Sequence, residues 1–312
     1  MTAVAKDAAW PALPLGEWQD TYATLHMWLQ IVGKTRLALA PMENHWWQIA
    51  LYVAPRGLTT SAMPYGNRTF SVDIDFLDHS LAMSTNDGAV RRLALVPRSV
   101  ANFYSDYMAG LRSLGFEITF RRRGPVEVET AIPFADDHQH ASYDADAANR
   151  CWRVLVQTDR VLKRFRGRFL GKASPAHFFW GSFDLAGTRF SGRRAPRHPG
   201  GVPNCPDYVM VEAYSHECSS CGFWPGGGAF PEPAFYAYAY PEPSGYGERA
   251  VRPEAARYDR KAREFILPYE AVRNAEDPDE ALLQFFQATY EAAADLARWE
   301  RAALDRPRSD WP

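Results

Sequence analysis

The chain has 312 residues, 46% hydrophobic and 23% charged, and that much apolar surface excludes disorder over its whole length. Its 35 basic and 37 acidic residues leave a net charge of −2, which excludes the basic excess of a general nucleic-acid binder. No run of about 18 apolar residues is free of charge, which argues against a membrane span, and 4 cysteines are too few for a disulfide framework at this length.

The stretch Met1–Trp10 carries Lys6 and Asp7 and no apolar core segment. No secretory signal is visible there, so the cytoplasm is the expected location. The 10 Trp, 15 Tyr and 18 Phe are a rich aromatic complement, and such rings fill cores and line small-molecule pockets.

Trp18, Tyr22, Leu25, Leu29 and Val32 recur at helical spacing, and Gly33 is placed to end that first helix. Trp46–Val53 reads as a strand. Thr69–Phe76 alternates, with Phe70, Val72, Ile74 and Phe76 on one face and Asp73 and Asp75 on the other. Asn86-Asp87-Gly88 predicts a hairpin between Leu81–Ser84 and Val90–Leu95. A second helix runs from about Ser99 to Leu114, capped by Gly115, and Phe116–Phe120 reads as a further strand. The polar, acidic stretch from Pro133 to Ala145 reads as a solvated linker. Its Asp136-Asp137-His138-Gln139-His140 run has weak metal-binding character.

A third helix is expected over Ala147–Arg166. Aromatic strands follow at His177–Leu185, Thr188–Ser191, Tyr208–Tyr214 and Phe235–Tyr240, and Phe265-Ile266-Leu267 precedes a last helix over about Asp279–Leu304. Loops dense in Pro and Gly fall at Arg193–Pro206 and Gly222–Pro233.

The same order of elements occurs twice, which points to an internal duplication. His45-Trp46-Trp47 parallels His177-Phe178-Phe179-Trp180, each after a Gly-Lys pair, Gly33-Lys34 and Gly171-Lys172. Asp75-x-x-x-His79 parallels Glu212-x-x-x-His216. The expected architecture is α+β, in two similar halves over 1–140 and 141–312. Each half is a mostly antiparallel sheet packed with helices, and the two form one compact unit.

Matched histidines at strand starts and ends, His45 and His79, then His177 and His216, suggest acid–base groups. On a strand, positions four apart share a face, so Glu212 would orient His216 and raise its pKa. The same His177, His216 and Glu212 suit a divalent metal, although nothing in the sequence requires one. Glu217 is a second orienting carboxylate, on the opposite strand face unless the strand ends there.

Between Phe165 and Arg194, Lys172, Arg189 and Arg193 interleave with Phe178, Phe179, Trp180 and Phe190. A guanidinium presents a planar fork suited to carboxylate or phosphate, which points to an anionic ligand. The plain structural alternative is an Asp184–Arg189 salt bridge in an aromatic core. Trp47, Trp180 and Trp224 would form the apolar wall. Cys205, His216, Cys218 and Cys221 have weak zinc spacing, because Cys205 stands alone and His216 crowds Cys218. Gly222–Gly228 lacks the Lys-Ser/Thr of a phosphate loop and reads as a flexible loop near His216.

Thr24-Leu25-His26-Met27-Trp28, Asn44-His45-Trp46-Trp47, Gly57-Leu58-Thr59-Thr60-Ser61, Ser174-Pro175-x-His177-Phe178-Phe179-Trp180-Gly181-Ser182-Phe183-Asp184-Leu185, Arg189-Phe190-Ser191-Gly192-Arg193 and Tyr214-Ser215-His216-Glu217 resemble a bacterial family of unknown function, over nearly the whole chain. The resemblance carries no reaction. It implies that His45, Trp47, His177, Trp180, Asp184, Arg189, His216 and Glu217 lie on the family pattern, and that Cys218 and Cys221 do not, which weakens the zinc reading further.

The expected function is an enzyme acting on a small anionic molecule in an aromatic cleft, by hydrolysis, isomerisation or oxygenation. His177 and His216 would be acid–base groups or metal ligands, and His45 a further acid–base group. Lys172, Arg189 and Arg193 would hold the negative group. A non-catalytic binder of a small anion and a purely structural module are the alternatives.

Overall fold

The first helix, α1 (Gln19–Leu39), buries Leu25, Trp28, Leu29 and Val32, and also His26, Gln30, Lys34 and Arg36. A helix buried almost all round lies inside a larger body rather than on its surface. Gly33 does not end it. A Cβ at Gly33 would overlap the indole of Trp180, so this glycine is a seat for a ring from the second half of the chain. The computed structural model describes residues 9–129, 131–227, 230–307 and 309.

Six strands follow: β1 (Tyr52–Ala54), β2 (Gly57–Thr59), β3 (Met63–Tyr65), β4 (Arg68–Asp75), β5 (Ser80–Thr85) and β6 (Val90–Ala94). They form an antiparallel sheet in the order β1-β2-β4-β5-β6, with β3 also on β4. The alternation expected of β4 is there, with Phe70, Val72 and Ile74 buried. The predicted turn joins β5 to β6, with Gly88 at φ 92. Helix α2 (Val100–Ser113) starts where Ser99 accepts the Asn102 N–H at 3.2 Å, a side-chain cap for an otherwise orphan donor.

Two connecting segments differ from the sequence reading. Residues 116–120 form no strand, although Phe116, Ile118 and Phe120 are buried. The acidic-histidine stretch is a clasp on the start of α2. There the Val100 and Ala101 N–H groups donate to the carbonyls of His140 and Asp137. Asp137 is 1% exposed and accepts from His140 Nδ1 at 2.7 Å.

In the second half, helix α3 (Ala145–Gly167) precedes β7 (His177–Phe179), β8 (Asp184–Arg194), the short helix α4 (Asp207–Ala213), β9 (His216–Trp224) and β10 (Ala234–Tyr240). Then come β11 (Arg257–Asp259), β12 (Glu264–Pro268), α5 (Tyr269–Arg273), α6 (Pro278–Leu296) and α7 (Arg301–Leu304). The second antiparallel sheet runs β7-β8-β9-β10-β12-β11. The chain is therefore α+β, and the meander β1-β2-β4-β5-β6 is repeated by β7-β8-β9-β10-β12. Each meander follows a long helix, α1 or α3, and precedes another, α2 or α6. The sheets meet at their first strands, where Leu51 and Phe178 exchange two backbone hydrogen bonds of 2.9 Å.

That repeat does not match the histidines as expected. His177 opens β7, whereas His45 lies in a 3₁₀ segment ahead of β1. His79 follows β4, whereas His216 opens β9. The stretch read as a strand at Tyr208–Tyr214 is helix α4, so Glu212 and His216 are not strand neighbours. Gly222–Trp224 is the end of β9 rather than a loop, and Gly228 lies outside the described residues.

Register separates the faces of the second sheet. Leu185, Gly187, Arg189, Ser219, Cys221 and Phe223 face α3 and α6. His177, Phe179, Asp184, Thr188, Phe190, His216, Ser220, Tyr236 and Tyr238 lie on the opposite, front face. Among the described residues, no helix is long and apolar enough to cross a membrane.

Candidate functional site

At one end of the front face the chain gathers His45, Trp47, Lys172, Phe190, Glu212 and His216. Lys172 is positioned by backbone pairing: its carbonyl accepts the Phe190 N–H at 3.0 Å, and Ser174 N–H donates to the Thr188 carbonyl at 2.8 Å. This lays residues 172–174 along β8. His45 arrives from the 3₁₀ segment Asn44–Ile49, where His45 (φ 60, ψ 21) and Trp46 (φ 62, ψ 25) are both left-handed. That conformation costs an L-residue about 1–2 kcal/mol, and such strain persists only where surroundings fix it. Here α4 does so. Glu212 Oε1 accepts the His45 N–H at 3.2 Å, and Tyr208 packs on Trp46 with ring centroids 5.9 Å apart. From α1, Arg36 Nε donates to the Gln48 carbonyl at 2.7 Å.

The two contacts of the His45 ring define its tautomer. Lys172 Nζ lies 2.7 Å from Nε2, and the Ala213 carbonyl lies 2.9 Å from Nδ1. A carbonyl only accepts, so Nδ1 carries the hydrogen. The ammonium only donates, so Nε2 offers its lone pair. The ring is the neutral form, in line with burial holding its pKa below the ordinary imidazole value. It stacks on Phe190 at 4.5 Å and meets His216 edge-on at 5.7 Å.

Lys172 Nζ also lies 5.3 Å from the Trp47 ring and 5.1 Å from that of Phe190. Desolvation lowers its pKa, with Glu212 opposing. Among the described residues, no carboxylate lies within ion-pair distance of this ammonium. His216 is half-buried and takes a 3.1 Å contact from Ser215 Oγ to its Nδ1. Exposed cation, buried neutral imidazole and half-buried second imidazole therefore meet at a rim open to solvent on the Lys172 side, which suits binding of an anion and movement of a proton.

His177 is joined to this cluster only through Trp47, at 5.6 Å. It is 1% exposed among the rings of Trp47, Tyr52 and Phe179, and among the described residues neither ring nitrogen has a hydrogen-bond partner. Burial, with Arg36 and Arg166 nearby, pushes its pKa down to about 3. It is a buried neutral ring rather than an acid–base group. His177, His216 and Glu212 do not converge, and among the described residues no group of three or more His, Cys, Asp or Glu is arranged to hold a metal. Cys218 and Cys221 point to opposite faces of β9, so zinc ligation by that pair is excluded too.

Other expected site residues lie elsewhere. Arg189 is 1% exposed on the helix-facing side, with its guanidinium 3.5 Å from the Phe165 ring centroid and 4.3 Å from that of Tyr290. Neither an anion on the front face nor Asp184 is within its reach. Arg193 pairs with Glu217 at 2.7 Å and donates to the Ala297 and Arg298 carbonyls at the end of α6. Ser191 Oγ also donates to Glu217, at 2.9 Å. Glu217 thus braces Arg193, which ties β8 to the end of α6, and does not orient His216. Trp180, 2% exposed, donates from Nε1 to the Ile49 carbonyl at 2.8 Å and plugs the space over Gly33. Trp224 ends β9, eight steps of about 3.3 Å from His216, or roughly 26 Å away. It packs on Phe230 at 6.0 Å.

The front face carries a second polar cluster that sequence reasoning passed over. Asp184 accepts from Ser182 Oγ at 2.5 Å and from the Tyr236 hydroxyl. Burial pushes the Glu127 and Glu264 carboxyls up to about 7 each, with Asp184 adding to both. Glu127 lies in an irregular segment with no motif to mark it. Glu264 had a usable signal: an acid heading the apolar run Phe265-Ile266-Leu267.

The chain belongs to the DUF5996 family. The model of this family of unknown function matches residues 10–306. That span includes every residue of both clusters in this DUF5996 protein. No curated protein and no solved structure matches the chain.

Proposed function

We propose that the protein is an enzyme acting on a small anionic molecule at the Lys172–His45–His216 rim. Lys172 meets the negative group, and His45 and His216 move protons. Glu212 and Ala213 hold His45 in place, while Trp47 and Phe190 supply the apolar wall. The observation that carries the reading is the 2.7 Å contact between Lys172 Nζ and His45 Nε2. It joins a cation that has no carboxylate partner among the described residues to an imidazole whose lone pair is aimed at it. Holding this contact requires two successive left-handed residues, and backbone strain of that kind collects at functional sites.

Histidine ring NMR tests it. Glycolate and inorganic phosphate are titrated into the protein while the ring nitrogens of His45 and His216 are followed. Saturable shifts at both rings, weakened at least about tenfold in Lys172→Met, are expected, since a charge-assisted contact is worth about 1.5–3 kcal/mol. Shifts of equal affinity in Lys172→Met would overturn the assignment of the anion to Lys172.

A further inference from the structure

The Lys172–His45 contact also says what kind of anion the site takes. We infer that Lys172 is a nucleophile forming an imine with a carbonyl acid, a substrate whose aldehyde or ketone stands beside a carboxylate. This deepens the proposed function and rests on it.

Three observations converge. Among the described residues, the polar partner of Lys172 Nζ is His45 Nε2, a base, where a structural lysine would pair with a carboxylate. The lone pair on that nitrogen is kept free because Nδ1–H is committed to the Ala213 carbonyl. Trp47 and Phe190 present ring faces to the amine, which hold it in place over the His45 lone pair, while partial desolvation lowers its pKa and eases transfer of its proton to that base.

The step balances without a co-reactant. His45 Nε2 takes a proton from the Lys172 ammonium, and the freed amine attacks the carbonyl carbon. A C–N bond forms as the C=O π pair moves to oxygen. A proton passes from nitrogen to that oxygen, giving a carbinolamine. The His45 imidazolium then protonates the hydroxyl, the C–O bond breaks, and water leaves as the nitrogen lone pair closes the C=N bond. The products are a protonated imine, one water and neutral His45. The iminium keeps a positive charge beside the substrate carboxylate, and the half-buried His216 is placed to meet that group.

The probe is glyoxylate, an aldehyde carrying a carboxylate, with cyanoborohydride to trap the imine and peptide mass mapping to locate it. At limiting glyoxylate, Lys172 is expected to be labelled ahead of Lys6, Lys34, Lys163 and Lys261. His45→Asn keeps a residue tolerant of the left-handed backbone but removes the base. It is expected to slow labelling of Lys172 by at least about tenfold, with its thermal melt retained, as loss of an acid–base partner typically does. Glycolate, which lacks the carbonyl, serves as the companion ligand. Glycolate shifts at His45 and His216 with no preference for Lys172 in trapping would overturn the imine and leave the anion site standing. Absence of both would overturn the two together. Equal labelling in wild type and His45→Asn would overturn the role of His45.

Discussion

The indole of Trp180 rests on the Cα of Gly33, so a ring from the second half of the chain is inserted into the side of the first helix. Its Nε1 donates to the Ile49 carbonyl just before β1, and one side chain thereby joins α1, the first sheet and the second sheet. Alanine is the better helix former, by about 1 kcal/mol over glycine. Overpacking a filled core costs about 1–3 kcal/mol or more. Gly33→Ala is therefore expected to lower the melting temperature despite its propensity gain, and Gly33→Ala with Trp180→Leu is expected to recover part of the loss. A stabilised Gly33→Ala would show that the ring moves freely off its seat.

The same glycine marks where the sequence could and could not be read. The apolar period placed α1, α2, α3 and β4, and the Asn86-Asp87-Gly88 turn placed the β5–β6 hairpin. Gly33 looked like a stop because a glycine after an apolar stripe usually is one; its tertiary partner lies far along the chain. Residues 208–214 looked like a strand because Tyr208 and Tyr214 bound a Val-rich apolar run, yet α4 is a short helix with no buried residue, so no core face imposed its period. His45, Lys172, Glu212 and His216 were picked out by residue type and do converge. The reason offered for the histidines and Glu212, matched strand positions, does not hold, because the meeting of these residues with Lys172 depends on α4 and on a left-handed turn with no sequence period.

Arg189 offers a test of a buried cation. Its guanidinium is enclosed by the rings of Phe165, Phe169 and Tyr290 and donates to the Phe165 carbonyl. Burial pushes its pKa down to about 10. Truncation leaves a cavity, so Arg189→Ala is expected to cost about 3 kcal/mol. Met fills much of the same space without a charge to desolvate, and replacing a buried ion with an apolar side chain is often neutral. Arg189→Met is expected to cost less than half as much. Denaturant titration of both variants measures this, and equal losses would mean that the charge itself holds the fold. Neither variant is expected to change anion shifts at His45 and His216.

Gly222 allows Tyr236 to reach Asp184. A Cβ there would land on the Leu185 carbonyl oxygen and lie 2.8 Å from the Tyr236 hydroxyl. Gly222→Ala is expected to cost about 1–3 kcal/mol through overpacking. Tyr236→Phe leaves Asp184 buried with one donor fewer and is expected to cost a comparable amount. Because both changes act on the Tyr236–Asp184 contact, the double variant should lose less than the sum of the singles. Additive losses from thermal or denaturant melts would refute that coupling.

Buried titratable groups of opposite charge type predict opposite pH dependences. His26 Nε2 lies 2.9 Å from the Gly181 carbonyl, and burial pushes its pKa down to about 4. An unfolded imidazole titrates at about 6.5. A folded value below the unfolded one means that the stability is present above about 6.5 and is lost as pH falls toward 4. At 1.36 kcal/mol per unit, the loss is about 3 kcal/mol for His26. In His26→Phe the fixed cost of the missing hydrogen bond remains but this slope disappears, so its deficit against wild type should shrink on acidification. Glu127 and Glu264, raised to about 7, have the reverse sign. Their contribution is present below the unfolded carboxyl value of about 4.3 and is lost as pH rises through 7. Glu127→Gln and Glu264→Gln should therefore gain on wild type as pH is raised from 5 to 8. Denaturant titrations at pH 5, 6.5 and 8 measure both trends, and a Gln variant whose difference from wild type stays flat over that range would show its carboxylate to be solvated in the folded protein.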